Sequence, residues 1–306
     1  MPHGPTKYES KGFCIYCGRS DVKLTDEHIV PLSLGGFHVL LKASCRDCNK
    51  ITSKFELEVM RNLWGDARNS YNAPSRRKNR RKSHIILSGP KDGSKKLKVK
   101  YTDYPAPMIF YFMSRAGILQ GLSETFDLSK EWKLKAIVDQ KKLEQFEQKF
   151  PGQLTLKFKH VPDSFARLVA KIGYGQALTI LDPTDFRPVC VPYILGEKEN
   201  LSFIVGAQTE VPPPNEGMGY VLGNFGFGTP ENLMIMSSVR LLANNHTPNY
   251  HVVVGDVRGR ENVERVIRKI GEVEIKLISE NSAADNELGN ENDLFPSVWP
   301  LPFWRK

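Results

Sequence analysis

The chain has 306 residues, 40% hydrophobic and 25% charged, the balance of a folded globular protein and not of a disordered or fibrous one. Forty-three Lys and Arg against 34 Asp and Glu leave a net charge of +9, which favours polyanionic partners. Five unevenly spaced cysteines exclude a secreted disulfide framework, the most apolar run (Met108–Met113) is far too short to span a bilayer, and the opening residues lack the apolar core of a signal peptide, so a soluble cytoplasmic or nucleoid-associated protein is expected.

Residues 1–12 form a polar lead. Residues 13–56 hold four of the cysteines in two Cys-x-x-Cys knuckles, Cys14/Cys17 and Cys45/Cys48, with 27 residues between them. Inside that interval, Ile29–Gly36 predicts a short strand ending in a Gly-Gly turn, and Phe37–Leu41 predicts the returning strand. From Asn49, apolar residues recur at three- and four-residue spacing through Ile51, Phe55 and Val59, which predicts a helix.

Residues 61–100 then carry thirteen Lys and Arg against Asp66 and Asp92, a net +11 that leaves the rest of the chain near −2. One basic segment therefore carries the whole excess of charge. From His84 the pattern becomes β-like, with Lys95–Tyr101 alternating basic and apolar residues, and further strands are predicted at Leu134–Val138, Leu154–Lys159, Val189–Leu195, Leu201–Val205 and Val252–Gly255. Helices are predicted over residues 140–149 and 260–270, and from an Asp163 cap through Phe165, Leu168, Val169 and Ile172 to a stop at Gly173 or Gly175.

The expected organisation is α+β: a zinc-binding module (residues 1–60), a basic linker or helix contacting nucleic acid (61–83), an α+β domain for target choice or regulation (84–278), and an acidic linker with an aromatic, proline-rich tail (279–306). The tail either docks back on the domain or binds a partner protein. Gly173-Tyr-Gly175 and Gly223–Gly228 lack the spacing of a phosphate-binding fingerprint and read as turns or helix ends. His160, His246 and His251 have no Cys or carboxylate company, and Cys190 sits in an apolar run as an inert core thiol.

The chemistry concentrates in the first fifty residues. Each knuckle brings two thiolates to one ion, and two knuckles complete a closed tetrahedral, structural Zn²⁺ site on Cys14, Cys17, Cys45 and Cys48. Such a site stabilises a module too small for a sufficient core of its own. Beside it stand Glu27, His28 and Asn49. On a strand, Glu27 and His28 point to opposite faces, so one can meet a metal while the other meets a water. Glu27 and Asn49 offer oxygen ligands suited to Mg²⁺ or Mn²⁺, and an imidazole titrates near working pH and can take a proton from an attacking water. Singly, the pair reads as surface decoration and Asn49 as a cap; between correctly spaced knuckles they read together as a catalytic set.

The segment Glu27-His28-Ile29-Val30-Pro31, Gly35-Gly36 and Cys45-x-x-Cys48-Asn49 resembles the HNH, or ββα-metal, nucleases in the branch that carries a zinc knuckle. The resemblance covers about residues 13–56 and implies a general base at His28 and metal ligation by Glu27 and Asn49. Two departures are visible: Glu27 stands where the family has Asp, and Leu40 stands where it has a central Asn that pins the hairpin loop. His38 is the nearest polar replacement; otherwise it is a solvent-facing strand residue.

The expected function is metal-dependent endonuclease activity on DNA, or on RNA, with Arg61, Arg68, Arg76, Arg77, Arg80 and Arg81 contacting phosphates. One alternative is a zinc-dependent nucleic-acid-binding module that does not cut. Another is a functional C-terminal domain that uses the zinc module for targeting.

Overall fold

The computed structural model describes residues 5–74, 82–88, 96–152, 158–215 and 217–271. Arg76, Arg77, Arg80 and Arg81, most of the predicted strand at 154–159, and the acidic linker and tail lie outside the described residues. The fold is α+β, with a small N-terminal module followed by a larger domain.

The module opens with strand β1 (Thr6–Tyr8), then β2 (Leu24–His28) and β3 (His38–Cys45), and closes with helix α1 (Arg46–Glu58). β3 is the centre of this sheet, parallel to β1 and antiparallel to β2. The predicted strand at Ile29–Gly36 is corrected. The strand ends at His28, because Pro31 cannot donate to a ladder and the chain turns into a short 3₁₀ segment, Leu32–Leu34. Gly36 is required there, since a Cβ would lie 1.9 Å from the Val30 carbonyl oxygen. α1 begins at Arg46, three residues before the predicted start, with Cys45 as its N-cap.

Beyond α1 a π-helical turn (Val59–Leu63) leads into α2 (Gly65–Ser70). Leu63, Trp64 and Ala67 are buried, and the Trp64 indole donates to the Ile109 carbonyl at 2.6 Å. Strands β4 (His84–Ser88) and β5 (Lys96–Lys100) pair antiparallel, as do β6 (Met108–Phe112) and β7 (Lys133–Ile137). α3 (Gln140–Lys149) follows, capped by Asp139, and then the long helix α4 (Pro162–Ala177).

β8 (Arg187–Pro188), α5 (Val191–Leu195) and β9 (Val205–Ala207) precede a meander of β10 (Tyr220–Gly228), β11 (Asn232–Leu241) and β12 (Tyr250–Arg258), and α6 (Arg260–Ile270) ends the described chain. The large sheet runs β10-β11-β12-β8, with β9 also on β12, all antiparallel. Four sequence expectations are corrected here. Val189–Leu195 is mainly a helix, because Pro192 suits a first turn and cannot sit in a ladder. Within Leu201–Val205 only Val205 pairs, after a 3₁₀ turn at Leu201–Phe203. Gly223–Gly228 is strand and not turn. α4 continues through both Gly173 and Gly175.

The reason for that last correction positions the site. α4 packs against α1 on one side and against β10, β11 and β12 on the other. At Gly173 a Cβ would come within 2.8 Å of Val252 Cγ2, and the Ser237 hydroxyl donates to the Gly173 carbonyl. Gly175 lies against Ile29, and the Tyr174 hydroxyl donates to Ile15 O in the first knuckle at 2.7 Å. Gly173 is a close-approach residue and Gly175 is in ordinary contact, and neither stops the helix. Buried apolar residues from Cys14 through to Val266 form one contiguous core, so the module and the larger domain are packed as a unit.

Candidate active site

The four cysteines converge. Cys14 and Cys17 sit in a turn closed by Cys14 N donating to Arg19 O and Gly18 N donating to Cys14 O, while Cys45 and Cys48 straddle the start of α1. All four sulfurs lie within 4.8 Å of one another, and Cys17 and Cys45 are 3.8 Å apart. The Cys45 amide donates to Cys14 Sγ and the Cys48 amide to Cys45 Sγ, contacts that favour thiolates. Burial works upward on the Cys45 thiol, but the Cys48 and Asp47 amides and the Arg19 guanidinium bring it down to about 6. Burial, by contrast, holds Cys14 and Cys48 up. Four sulfurs this close can all ionise only around a cation, and four thiolates suit a closed tetrahedral Zn²⁺ site.

Glu27 and His28 are the last two residues of β2, opposite Leu40 and Val39 of β3. Glu27 is only 5% exposed. Its Oε1 lies 2.6 Å from the ammonium of Lys171, a residue of α4 that is itself 1% exposed. The same ammonium lies 2.9 Å from Glu56 of α1, donates to the His28 carbonyl and approaches the Ile29 carbonyl at 3.5 Å. Burial and the neighbouring Glu56 push the Glu27 carboxyl up, against the pull of Lys171. Burial alone would push the Lys171 ammonium down; the two carboxylates outweigh it and hold it charged.

Asn49 lies in the first turn of α1, half-buried, and its side-chain oxygen accepts from the Ser53 hydroxyl at 3.3 Å. His38 is half-buried and held to the Tyr8 hydroxyl at 2.8 Å, in an aromatic group with Phe37 and Tyr220. Burial pushes its imidazole down. Arg61 is exposed, whereas the Arg68 guanidinium donates to the carbonyls of Met60 and Pro74.

The cysteines are the only group of three or more His, Cys, Asp or Glu among the described residues that is close enough to share one ion. The expected divalent ion on Glu27 does not fit this arrangement. The carboxylate already carries an ammonium, and a second cation there faces repulsion on the order of 4 kcal/mol per unit charge at ~4 Å and an effective dielectric of ~20. Lys171 and Glu56 are the residues that reading the sequence missed. The available signal was a lysine inside the otherwise apolar run Leu168-Val-Ala-Lys-Ile172, on a helix whose partner could not be known.

A thiolate-stapled strand–turn–strand followed at once by a helix, with an acid–histidine pair on the second-last strand, defines a zinc-knuckle ββα module. Residues 14–63 match the HNH endonuclease family, a match that points to nuclease activity. The match ends within the π-helical turn after α1. No curated protein and no solved structure matches the chain. No helix among the described residues is long and apolar enough to cross a membrane.

Proposed function

We propose that this chain is an HNH-type endonuclease that hydrolyses phosphodiester bonds in DNA, with His28 as general base. The observation that supports it most is the family match over residues 14–63; within that span His28 is the last residue of β2, which pairs with the strand leading into α1. In this reading His28 takes a proton from the attacking water, and Asn49 orients the reacting groups from the first turn of α1. The cysteines, with zinc, hold hairpin and helix in one geometry. Arg61 and the basic residues that follow α2 in sequence bring the phosphate backbone to the module without reading its bases.

The contact between Lys171 and Glu27 favours a second reading, a module that binds nucleic acid without cutting it. Nicking of supercoiled plasmid separates the two. After chelation of the loosely bound metal and add-back of Mg²⁺ or Mn²⁺, the wild type is expected to nick, His28→Ala to be inactive and Asn49→Ala to be strongly reduced. Unchanged cutting by both variants would remove the assignment, and a wild type inert with either metal would favour the binding reading.

A further inference from the structure

We infer that Lys171 is a cation built into the chain at the position a divalent ion would take on Glu27, so that the larger domain controls whether the module can bind that ion. The inference rests on the reading of Glu27 as an ion ligand. The ammonium of Lys171 is surrounded by four oxygens, all from the HNH module: Glu27 Oε1, Glu56 Oε1 and the carbonyls of His28 and Ile29. Two carboxylates and two backbone carbonyls are a hard-cation donor set. The cation in it comes from α4, the helix that also carries Gly173 against the large sheet.

Two further observations set this apart from an ordinary structural ion pair. Glu27 Oε2 is buried without a hydrogen-bond partner among the described residues, so the carboxylate retains an unused ligand atom. And a buried ion triad is rarely needed for stability, since apolar replacements of similar volume often serve as well. Stability alone therefore does not account for two carboxylates and a lysine beside the candidate base. Because Lys171 also holds the His28 carbonyl, its withdrawal frees the ligand and the strand end together.

The test measures Mn²⁺ binding by electron paramagnetic resonance on the full, zinc-loaded chain, comparing wild type, Glu27→Gln, Lys171→Met and the double variant. Wild type and Glu27→Gln are expected to bind Mn²⁺ equally. Lys171→Met is expected to bind at least tenfold more tightly than wild type, and the double variant to lose that gain. A tenfold weakening of wild-type binding by Glu27→Gln would overturn the inference, as would a folded Lys171→Met with no gain. Should Lys171→Met not fold, wild type against Glu27→Gln decides alone. These outcomes are independent of nicking: failure of the His28→Ala test removes the nuclease reading without altering Mn²⁺ binding, and the reverse also holds.

Discussion

The module contains two four-atom cages built on opposite principles. In the first, four sulfurs from two local knuckles converge, with the Arg19 guanidinium donating to one of them, Cys45 Sγ, at 3.5 Å. In the second, four oxygens from β2, the residue after it and α1 converge, and the protein supplies the cation itself from a helix far along the chain. The sulfur cage is made of near neighbours in sequence and depends on an outside ion for its charge balance. The oxygen cage needs no ion but depends on the whole fold to deliver its lysine. One is a site completed by the solvent's metals; the other is completed by topology.

The largest effect that would break this contrast is on the sulfur cage. Stripping zinc with a strong chelator should unfold the module, since on the order of 10 kcal/mol of zinc binding is folding free energy in small zinc modules. Because the module shares its core with the larger domain, calorimetry should show the main transition moving down as a whole and not splitting into two. A separate, unmoved transition for the larger domain would show that the two are energetically independent.

Next is Lys171→Met, which strands two carboxylates and should cost about 3–5 kcal/mol in denaturant unfolding. Adding Glu27→Gln should recover most of that loss, because Glu56 is partly exposed and can reach water. If the double variant is no better than the single, the lysine stabilises through packing and not through charge. Gly173→Ala tests the delivery of the lysine without touching either cage. Its Cβ meets Val252, so a loss of about 1–3 kcal/mol is expected, whereas Gly175→Ala, with its nearest atoms at 3.4 Å, should cost less.

The last effect is spread over pH and concerns a buried ionisable group that the protein handles in a third way, by keeping it neutral. His251 accepts from the Ala116 amide at 3.1 Å, and burial, with Arg115 nearby, pushes its pKa down to about 3. Its folded pKa lies below the unfolded value near 6.5, so its contribution is complete above pH 6.5 and is lost as pH falls toward 3. The slope is about 1.4 kcal/mol per pH unit. His251→Gln should flatten the stability profile across that window, measured by urea unfolding at several pH values.

The sulfur cage was legible in the sequence because its information is local: two Cys-x-x-Cys turns specify their own geometry. β3, β7, β12, α3 and α6 were legible as well, each from its local pattern. The extent of β2 was misjudged because Ile29 and Val30 look like strand but precede Pro31, and they are buried against the larger domain. α4 was cut short because glycine reads as a stop unless the neighbour that demands it, Val252, is known. The oxygen cage was illegible altogether. Nothing near Glu27 marks Lys171 as its partner, and a lysine inside an apolar helix reads as a break in the pattern until the facing carboxylates are in view.

The distance along the chain between the His28 carbonyl and Lys171 has a consequence in time. The two are 143 residues apart. At roughly 5–20 residues per second of synthesis, the lysine leaves the ribosome about 7 to 30 s after the strand it will hold. The knuckles are already complete by residue 48, so a nascent chain can acquire zinc and form its hairpin well before α4 exists. For that interval every new copy carries Glu27 without Lys171, so all four ligands of the sulfur cage are synthesised before the cation of the oxygen cage.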